Sequence, residues 1–240
     1  MKEGAGRELR LHLGCGSTVV PGWENIDKSP SIVLARVPGM RRTLAALDVL
    51  TPEQGNAVFP SGIVRADVRR GLHYEDATVR YIYSSHMIEH MPRWQGLALV
   101  KECRRVLMPE GVLRLATPDL AQVVDAYRSG VKGGAATAAD AFMGGLGTFL
   151  EQPGSRVQRI LQRLFVAPHQ WLYDEQSLTV LLEEAGFFDI GVRGFRDSAV
   201  PDIALLEHRD GLFVEARRAR VAAHEVAQRT ENRIETAREP

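Results

Sequence analysis

The chain has 240 residues, 45% of them apolar and 25% charged, the make-up of an ordinary globular protein and not of a disordered or fibrous one. That length suits one α/β domain with an embellishment and is cramped for two. Thirty Lys and Arg balance thirty Asp and Glu, so no global field draws the protein to nucleic acid or to an anionic membrane.

From about residue 9 to 116, short strand-type runs alternate with helix-type segments, the pattern of βαβ units around a parallel sheet. The predicted strands are Arg10 to Leu13, Glu24 to Ile26, Gly62 to Ala66, Val79 to Ser84 and Val112 to Ala116. Between the last two, Trp94, Leu97, Val100, Cys103 and Leu107 recur at three- and four-residue steps and predict a helix with one apolar stripe, which Pro109 and Gly111 end. The next helix is expected to open on Thr117 as N-cap with Pro118 at its first position, to present Leu120, Val123, Val124 and Tyr127 on one face, and to stop at Gly130.

The Gly- and Ala-rich stretch from Val131 to Gly147 predicts a mobile connection. Val157, Ile160, Leu161 and Leu164 mark an amphipathic helix beyond it, so residues 131–170 read as a helical lid. Helical spacing returns at Leu178, Leu181, Leu182 and Ala185, with Asp174 as N-cap and Gly186 as stop. Strands near Phe187 to Phe195 and Leu212 to Glu215 complete the sheet. Residues 1–217 thus form the domain, and 218–240 a charged helix or tail. The fold class expected is a Rossmann-like α/β domain: a mostly parallel, seven-stranded sheet with helices on both faces.

Cys15 and Cys103 lie far apart in unlike contexts, which speaks against a zinc site or a disulfide framework and fits a reducing compartment. The N-terminal stretch has no apolar run of the signal-peptide kind, and no later run is long enough to span a bilayer. A cytoplasmic protein without a membrane span is expected.

Four short motifs carry the chemistry. LHLGCG at residues 11–16 is a strand running into a tight turn, where Gly14 and Gly16 permit positive φ and let the backbone approach a ligand. WENID at 23–27 is a strand ending in Asp27, and RADV at 65–68 repeats that arrangement with Asp67. YIYSSHMIEHM at 81–91 is a strand breaking into a polar turn that carries Ser84, His86, Glu89 and His90. If that turn begins a helix, His86, Glu89 and His90 at i, i+3 and i+4 share one face while Met87, Ile88 and Met91 face the core. His169, in APHQWLYDEQ with Trp171 and Tyr173, is a further candidate base beside aromatic residues.

Together with RRVLMPEG and LLEEAGF, these motifs stand in the order found in class I S-adenosylmethionine-dependent methyltransferases, and over residues 9–217 the chain resembles that family. The GCG turn soon followed by Gly22 and Trp23 is similar to that of bacterial O-methyltransferases of envelope and polysaccharide pathways. The resemblance implies that Gly14, Cys15 and Gly16 face the methionine part of S-adenosylmethionine, Asp27 its ribose, and Asp67 with Val68 its adenine, with Ser84 lining the same cleft. One departure stands out: about ten residues separate the first turn from the second strand, fewer than a parallel crossover normally needs. The His86, Glu89 and His90 stretch is similar to that of ubiquinone-pathway O-methyltransferases, whose Glu-containing triplet holds a divalent cation. Here His86 replaces a Glu, which disfavours magnesium.

Such an enzyme positions donor and acceptor for in-line displacement. A carboxylate acceptor attacks unaided, whereas an alcohol needs a base or a metal. The expected function is methyl transfer to a hydroxyl of a small-molecule or saccharide acceptor. His86, Glu89, His90 and His169 are the catalytic candidates, and a divalent cation and a homodimer are the possible additions. N- or C-methylation of a small metabolite and a non-catalytic cofactor-binding scaffold are the alternatives. The SSHM segment lacks the Asn/Asp-Pro-Pro-aromatic signature of base amino methylation, and GCGS lacks the third glycine of a dinucleotide fingerprint.

Overall fold

The computed structural model describes residues 8–29, 32, 37, 39–47, 56, 60–148 and 167–220. In chain order the elements are β1 (Leu9–Leu13), β2 (Glu24–Asp27), α1 (Met40–Ala46), β3 (Ile63–Arg65), β4 (Val79–Ser85), α2 (Arg93–Val106) and β5 (Leu107–Thr117). They continue with α3 (Leu120–Lys132), α4 (Ala138–Leu146), α5 (Glu175–Glu184), β6 (Phe187–Arg193), α6 (Ile203–Leu206) and β7 (Leu212–Arg218). The strands form one seven-stranded sheet in the order β3-β2-β1-β4-β5-β7-β6. The pairings from β3 through β5 are parallel, and β7 runs antiparallel between β5 and β6. This is the Rossmann-like, mostly parallel sheet expected. The strand order reverses direction between β1 and β4, and the crevice beyond the carboxyl ends of strands at such a switch point is where ligands of these sheets bind.

Neighbouring residues of the central strands supply two separate cores because successive side chains leave a strand on opposite faces. Ile82 and Leu113 join the larger core, which α2 covers with Leu99, Val100 and Cys103 and α5 with Leu178, Leu181 and Leu182. Tyr83 and Val112 join a smaller core with Val20, Trp23, Val200 and Leu206. The second face is thus packed by the crossover loop after β1 and by the segment around α6.

The ten-residue link between β1 and β2 contains no helix, yet the two strands pair in parallel, Leu11 opposite Glu24 and Leu13 opposite Ile26. The buried Asn25 side chain closes the loop: its Nδ2 donates to the carbonyls of Val20 and Trp23 at 3.1 and 3.0 Å, and its Oδ1 accepts from Val20 N at 3.0 Å. Local hydrogen bonds and the buried Trp23 therefore do here what a crossover helix does elsewhere.

Several boundaries differ from the sequence reading. Asp119, not Thr117, caps α3 by accepting from Ala121 N, because β5 runs on through Thr117. The helix α3 passes Gly130 and ends at Lys132, and α4 lies inside the Gly- and Ala-rich stretch that composition had marked as a connection. Helical hydrogen bonding and the packing of α3 on α4 offset the low helix propensity of these glycines. Trp94, expected on the buried stripe, is exposed, since α2 buries Gly96, Leu99, Val100, Cys103 and Val106 instead. The strand β6 ends at Arg193, two residues short of Phe195, and β5 and β7 reach beyond their expected ends.

The capping box of α5 forms as its sequence suggests, Asp174 accepting from Ser177 N at 2.8 Å while Ser177 Oγ accepts from Asp174 N. The amphipathic stretch at Val157 to Leu164 and the tail beyond residue 220 lie outside the described residues. No described helix is long and apolar enough to cross a membrane.

Candidate functional site

The turns after β1, β2, β3 and β4 enclose a cleft of about 460 Å³, within the range of ligand pockets. One wall is made by Gly14, Ile26, Asp27, Lys28 and Ser29, the floor by Ala66, Asp67, Val68 and Arg69, and the opposite wall by His86, Met87, His90 and Met91, with Ala167 and Gln170 at the edge.

Gly14 leaves β1 with φ 69° while its N–H donates to Ile26 O at 2.8 Å. A Cβ built on Gly14 would stand 2.8 Å from Met87 Sδ, so a side chain here would strain the backbone and drive into the opposite wall. Both Asp27 oxygens are aimed by backbone donors, Gly16 N at 2.8 Å and Ser29 N at 2.5 Å, which ties the end of β2 to the turn after β1. A carboxylate offers about four lone-pair sites, so acceptor capacity is left for a ligand. Asp67 is held by the Arg69 guanidinium in a two-pronged pair at 2.8 and 2.6 Å, with Lys28 Nζ at 3.9 Å. The hydrogen bonds from Arg69 hold the Asp67 carboxyl down at about 2.

Cys15 is buried and is not among the cleft-lining residues. Its thiol is pushed up to about 12 by burial and then by the Asp27 charge, which makes it inert as a nucleophile. Ser84 is likewise buried within β4 and does not line the cleft.

The segment after β4 corrects the expected helix. His86 takes a left-handed φ of 48°, and only a single 3₁₀ turn, Ile88 to His90, follows, so His86, Glu89 and His90 do not share a helix face. The turn directs them differently. His86 and His90 line the cleft, while Glu89 points inward with 0% exposure and reaches His86 Nδ1 at 3.3 Å on one side. Met87 is partly buried against the core, and Ile88 and Met91 are buried in it, although the helix from which that was expected does not form.

The chain after residue 167 clamps this turn: Gln170 N and Trp171 N donate to Glu89 O, and Gln170 Nε2 donates to His90 O at 2.9 Å. The clamp brings His169 against His90 with ring centroids 4.9 Å apart, although His169 itself does not line the cleft. Burial pushes the His169 imidazole below its ordinary value. The sequence sets Tyr173 among the aromatic residues beside His169. It lies instead fully buried in the main core, because the bridge between Asp119 and Tyr173 pulls it under the sheet end, while Trp171 is exposed.

Arg69, Lys28 and Gln170 were not singled out in the sequence, and Met87 and Met91, expected toward the core, also line the cleft. Lys28 and Arg69 could have been noticed as cations next to the two acidic strand ends, but nothing local announces Met87 opposite Gly14 or Gln170 beside His90.

A family model described as a methyltransferase domain matches residues 14–190. The chain belongs to that family, and with its sheet it is a class I S-adenosylmethionine-dependent methyltransferase domain of Rossmann-like fold. Among solved structures it is similar to a SAM-dependent methyltransferase from Methanosarcina mazei (15% identity, 88% of this chain and 92% of that one, TM-score 0.47). It is also similar to PigF in complex with SAH (12% identity, 88% and 50% coverage, TM-score 0.44). A third is a possible histamine N-methyltransferase from Thermotoga maritima (14% identity, 88% and 82% coverage, TM-score 0.45). The chain thus spans about half the length of PigF. No curated protein matches it.

Proposed function

We propose that this domain transfers the methyl group of S-adenosylmethionine to a hydroxyl oxygen of a small or sugar-like acceptor. The supporting observation is the make-up of the cleft: the Gly14 backbone and the aimed Asp27 carboxylate on one wall, Asp67 at the floor, and two imidazoles on the opposite wall. In this reading Gly14, which lines the cleft, borders the methionine part of the donor, Gly16, which does not line it, holds the Asp27 carboxylate through its N–H, and Asp27 accepts from the ribose. Asp67 and Val68 bound the adenine pocket, and Cys15 and Ser84 support the turn and strand from behind.

S-adenosylmethionine supplies an electrophilic methyl carbon on a sulfonium. The acceptor oxygen forms the new bond to that carbon as the carbon–sulfur bond breaks, and S-adenosylhomocysteine leaves. The hydroxyl proton goes to a cleft imidazole, His86 or His90. A neutral imidazole is a competent acceptor near pH 7, and a positioned base contributes roughly a hundredfold to ten-thousandfold. Glu89 orients His86 from within, and His169 orients His90 through the ring contact.

The test incubates the full chain with S-adenosylmethionine carrying a ¹³C-labelled methyl group and a panel of phenols, polyols and sugars. An ether methyl in the product, identified by its carbon shift, is expected. His86→Ala or His90→Ala should lower turnover by about a hundredfold or more while sparing S-adenosylhomocysteine affinity. An alkali-labile methyl ester, or label on nitrogen or carbon, would overturn the hydroxyl reading. So would near-normal turnover in both variants.

A further inference from the structure

We propose that Glu89, His90 and His169 form a binding site for one divalent transition-metal ion of the zinc class, set into the wall of the cleft. The donor set is not the one that spacing along the chain suggests. His86 is left out, and a residue 79 positions beyond His90 is brought in by the fold.

Glu89 is wholly buried, and among the described residues neither of its carboxylate oxygens has a hydrogen-bond partner. Its one ion-pair contact among the described residues is to His86 Nδ1. Burying a carboxylate is costly unless charge and hydrogen bonds answer it, and here a second group is missing. One ligand atom from each of Glu89, His90 and His169 lies within 4.8 Å of the others. Closing them to the spacing of a tetrahedral zinc site, with bonds of about 2.0–2.2 Å, takes a side-chain adjustment of roughly an ångström.

The imidazoles are already prepared as ligands. His90 Nδ1 lies 3.3 Å from Pro168 O, and His169 Nδ1 lies 2.9 Å from Leu146 O. A carbonyl can only accept, so each of these contacts calls for a hydrogen on Nδ1, and in a neutral ring that leaves Nε2 as the nitrogen a metal would take. Metal-bound histidines are oriented in this way by a partner on the other ring nitrogen.

Gly147 belongs to the same arrangement. It has φ 61°, and a Cβ there would come within 2.4 Å of the His169 ring, so the glycine is what lets His169 sit where it does. Two imidazole nitrogens and one carboxylate oxygen match three-ligand zinc sites that keep an open position, and they do not suit magnesium. Of the three ligands His90 lines the cleft, so an ion held there would sit at the cleft wall. The catalytic meaning rests on the transfer reading above: an ion there would acidify the acceptor hydroxyl and, with His90 a ligand, leave His86 as the imidazole that takes its proton.

The experiment strips the full chain with a chelator and titrates it with Co²⁺, reading the visible absorption of low-coordinate cobalt and its displacement by Zn²⁺. The melting shift with S-adenosylhomocysteine is recorded on every sample. One Co²⁺ per chain is expected. His90→Ala and His169→Ala should each weaken uptake by at least about a hundredfold, the upper end of losses seen when only a supporting partner is removed. His86→Ala should retain it. His90→Phe and His169→Phe, which keep ring volume without the nitrogen, should behave as the Ala variants do if those melt too early to titrate.

Absence of stoichiometric uptake by the unaltered chain would overturn the proposal, leaving His86 as the group that answers Glu89. Uptake that survives loss of both His90 and His169, or that depends on His86 and not on His169, would overturn it equally. Cobalt bound without any S-adenosylhomocysteine shift would sink the transfer reading and leave the metal site standing.

Discussion

His12 shows how one buried side chain ties the fold to pH. It sits in β1 with 3% exposure, packs against Tyr83, and donates from Nδ1 to Asn25 Oδ1 at 3.2 Å. Burial pushes its pKa down to about 4 from an ordinary 6.5, against a smaller upward effect of the Asn25 hydrogen bond. As pH falls, the unfolded chain takes up the proton first. The stability contribution is therefore complete above pH 6.5 and is lost between 6.5 and 4, a loss on the order of 3 kcal/mol. Burial shifts His169 in the same direction. Urea unfolding at pH 7.5 and pH 4.5 should show this loss, and His12→Gln should flatten much of it. An unchanged pH slope in His12→Gln would place the sensitivity elsewhere.

Individual residues were unevenly legible. Asp27 and Asp67 announce themselves because each stands at or just past the end of a short strand, where a parallel strand meets its turn. Glu89 and His90 could be picked out as polar residues in that position too, but their spacing implied a shared helix face. The positive φ of His86, which breaks that face, has no sequence mark comparable to a glycine. The contact of His90 with His169 is a product of tertiary folding, and no local pattern encodes it.

Among the elements, α5 was the most readable, since Asp174, the leucine spacing and Gly186 each state a boundary by a local mechanism. The boundary between β5 and α3 was misread because Thr117-Pro118 is as good a local start signal as Asp119, and the extra strand residues are fixed by pairing with β7. Hidden altogether was the device that fastens the excursion between β6 and β7. Arg114 on β5 is fully buried. It donates to Glu207 Oε2 at 3.0 Å and Glu215 Oε1 at 3.2 Å, and to the carbonyls of Gly194 and Asp197. Its guanidinium also lies 5.1 Å from the centre of the Phe213 ring.

Removing that cation leaves two buried carboxylates with weaker partners. Arg114→Met should therefore lower the unfolding free energy by about 3–5 kcal/mol in urea titration. Combining it with Glu207→Leu and Glu215→Leu should recover a large part, because a matched apolar replacement removes the desolvation cost as well. A single variant as stable as the parent would mean that the network is not needed to hold residues 194–211.

The sheet as a whole was readable in kind: seven strands and a site at the carboxyl ends near the switch between β1 and β4. The short first crossover departs from the usual pattern, and the Asn25-braced loop brings Asp27 to that cleft without a helix. The binding of S-adenosylhomocysteine by this arrangement is the claim on which the functional reading depends, and calorimetric titration of the full chain measures it directly. One equivalent should bind. Asp27→Ala should weaken binding by about tenfold or more, as loss of hydrogen bonds to a charged group implies. Gly14→Val should abolish binding while the protein still melts cooperatively. No heat of binding at ligand concentrations on the order of millimolar, or equal affinity in all three proteins, would contradict the account.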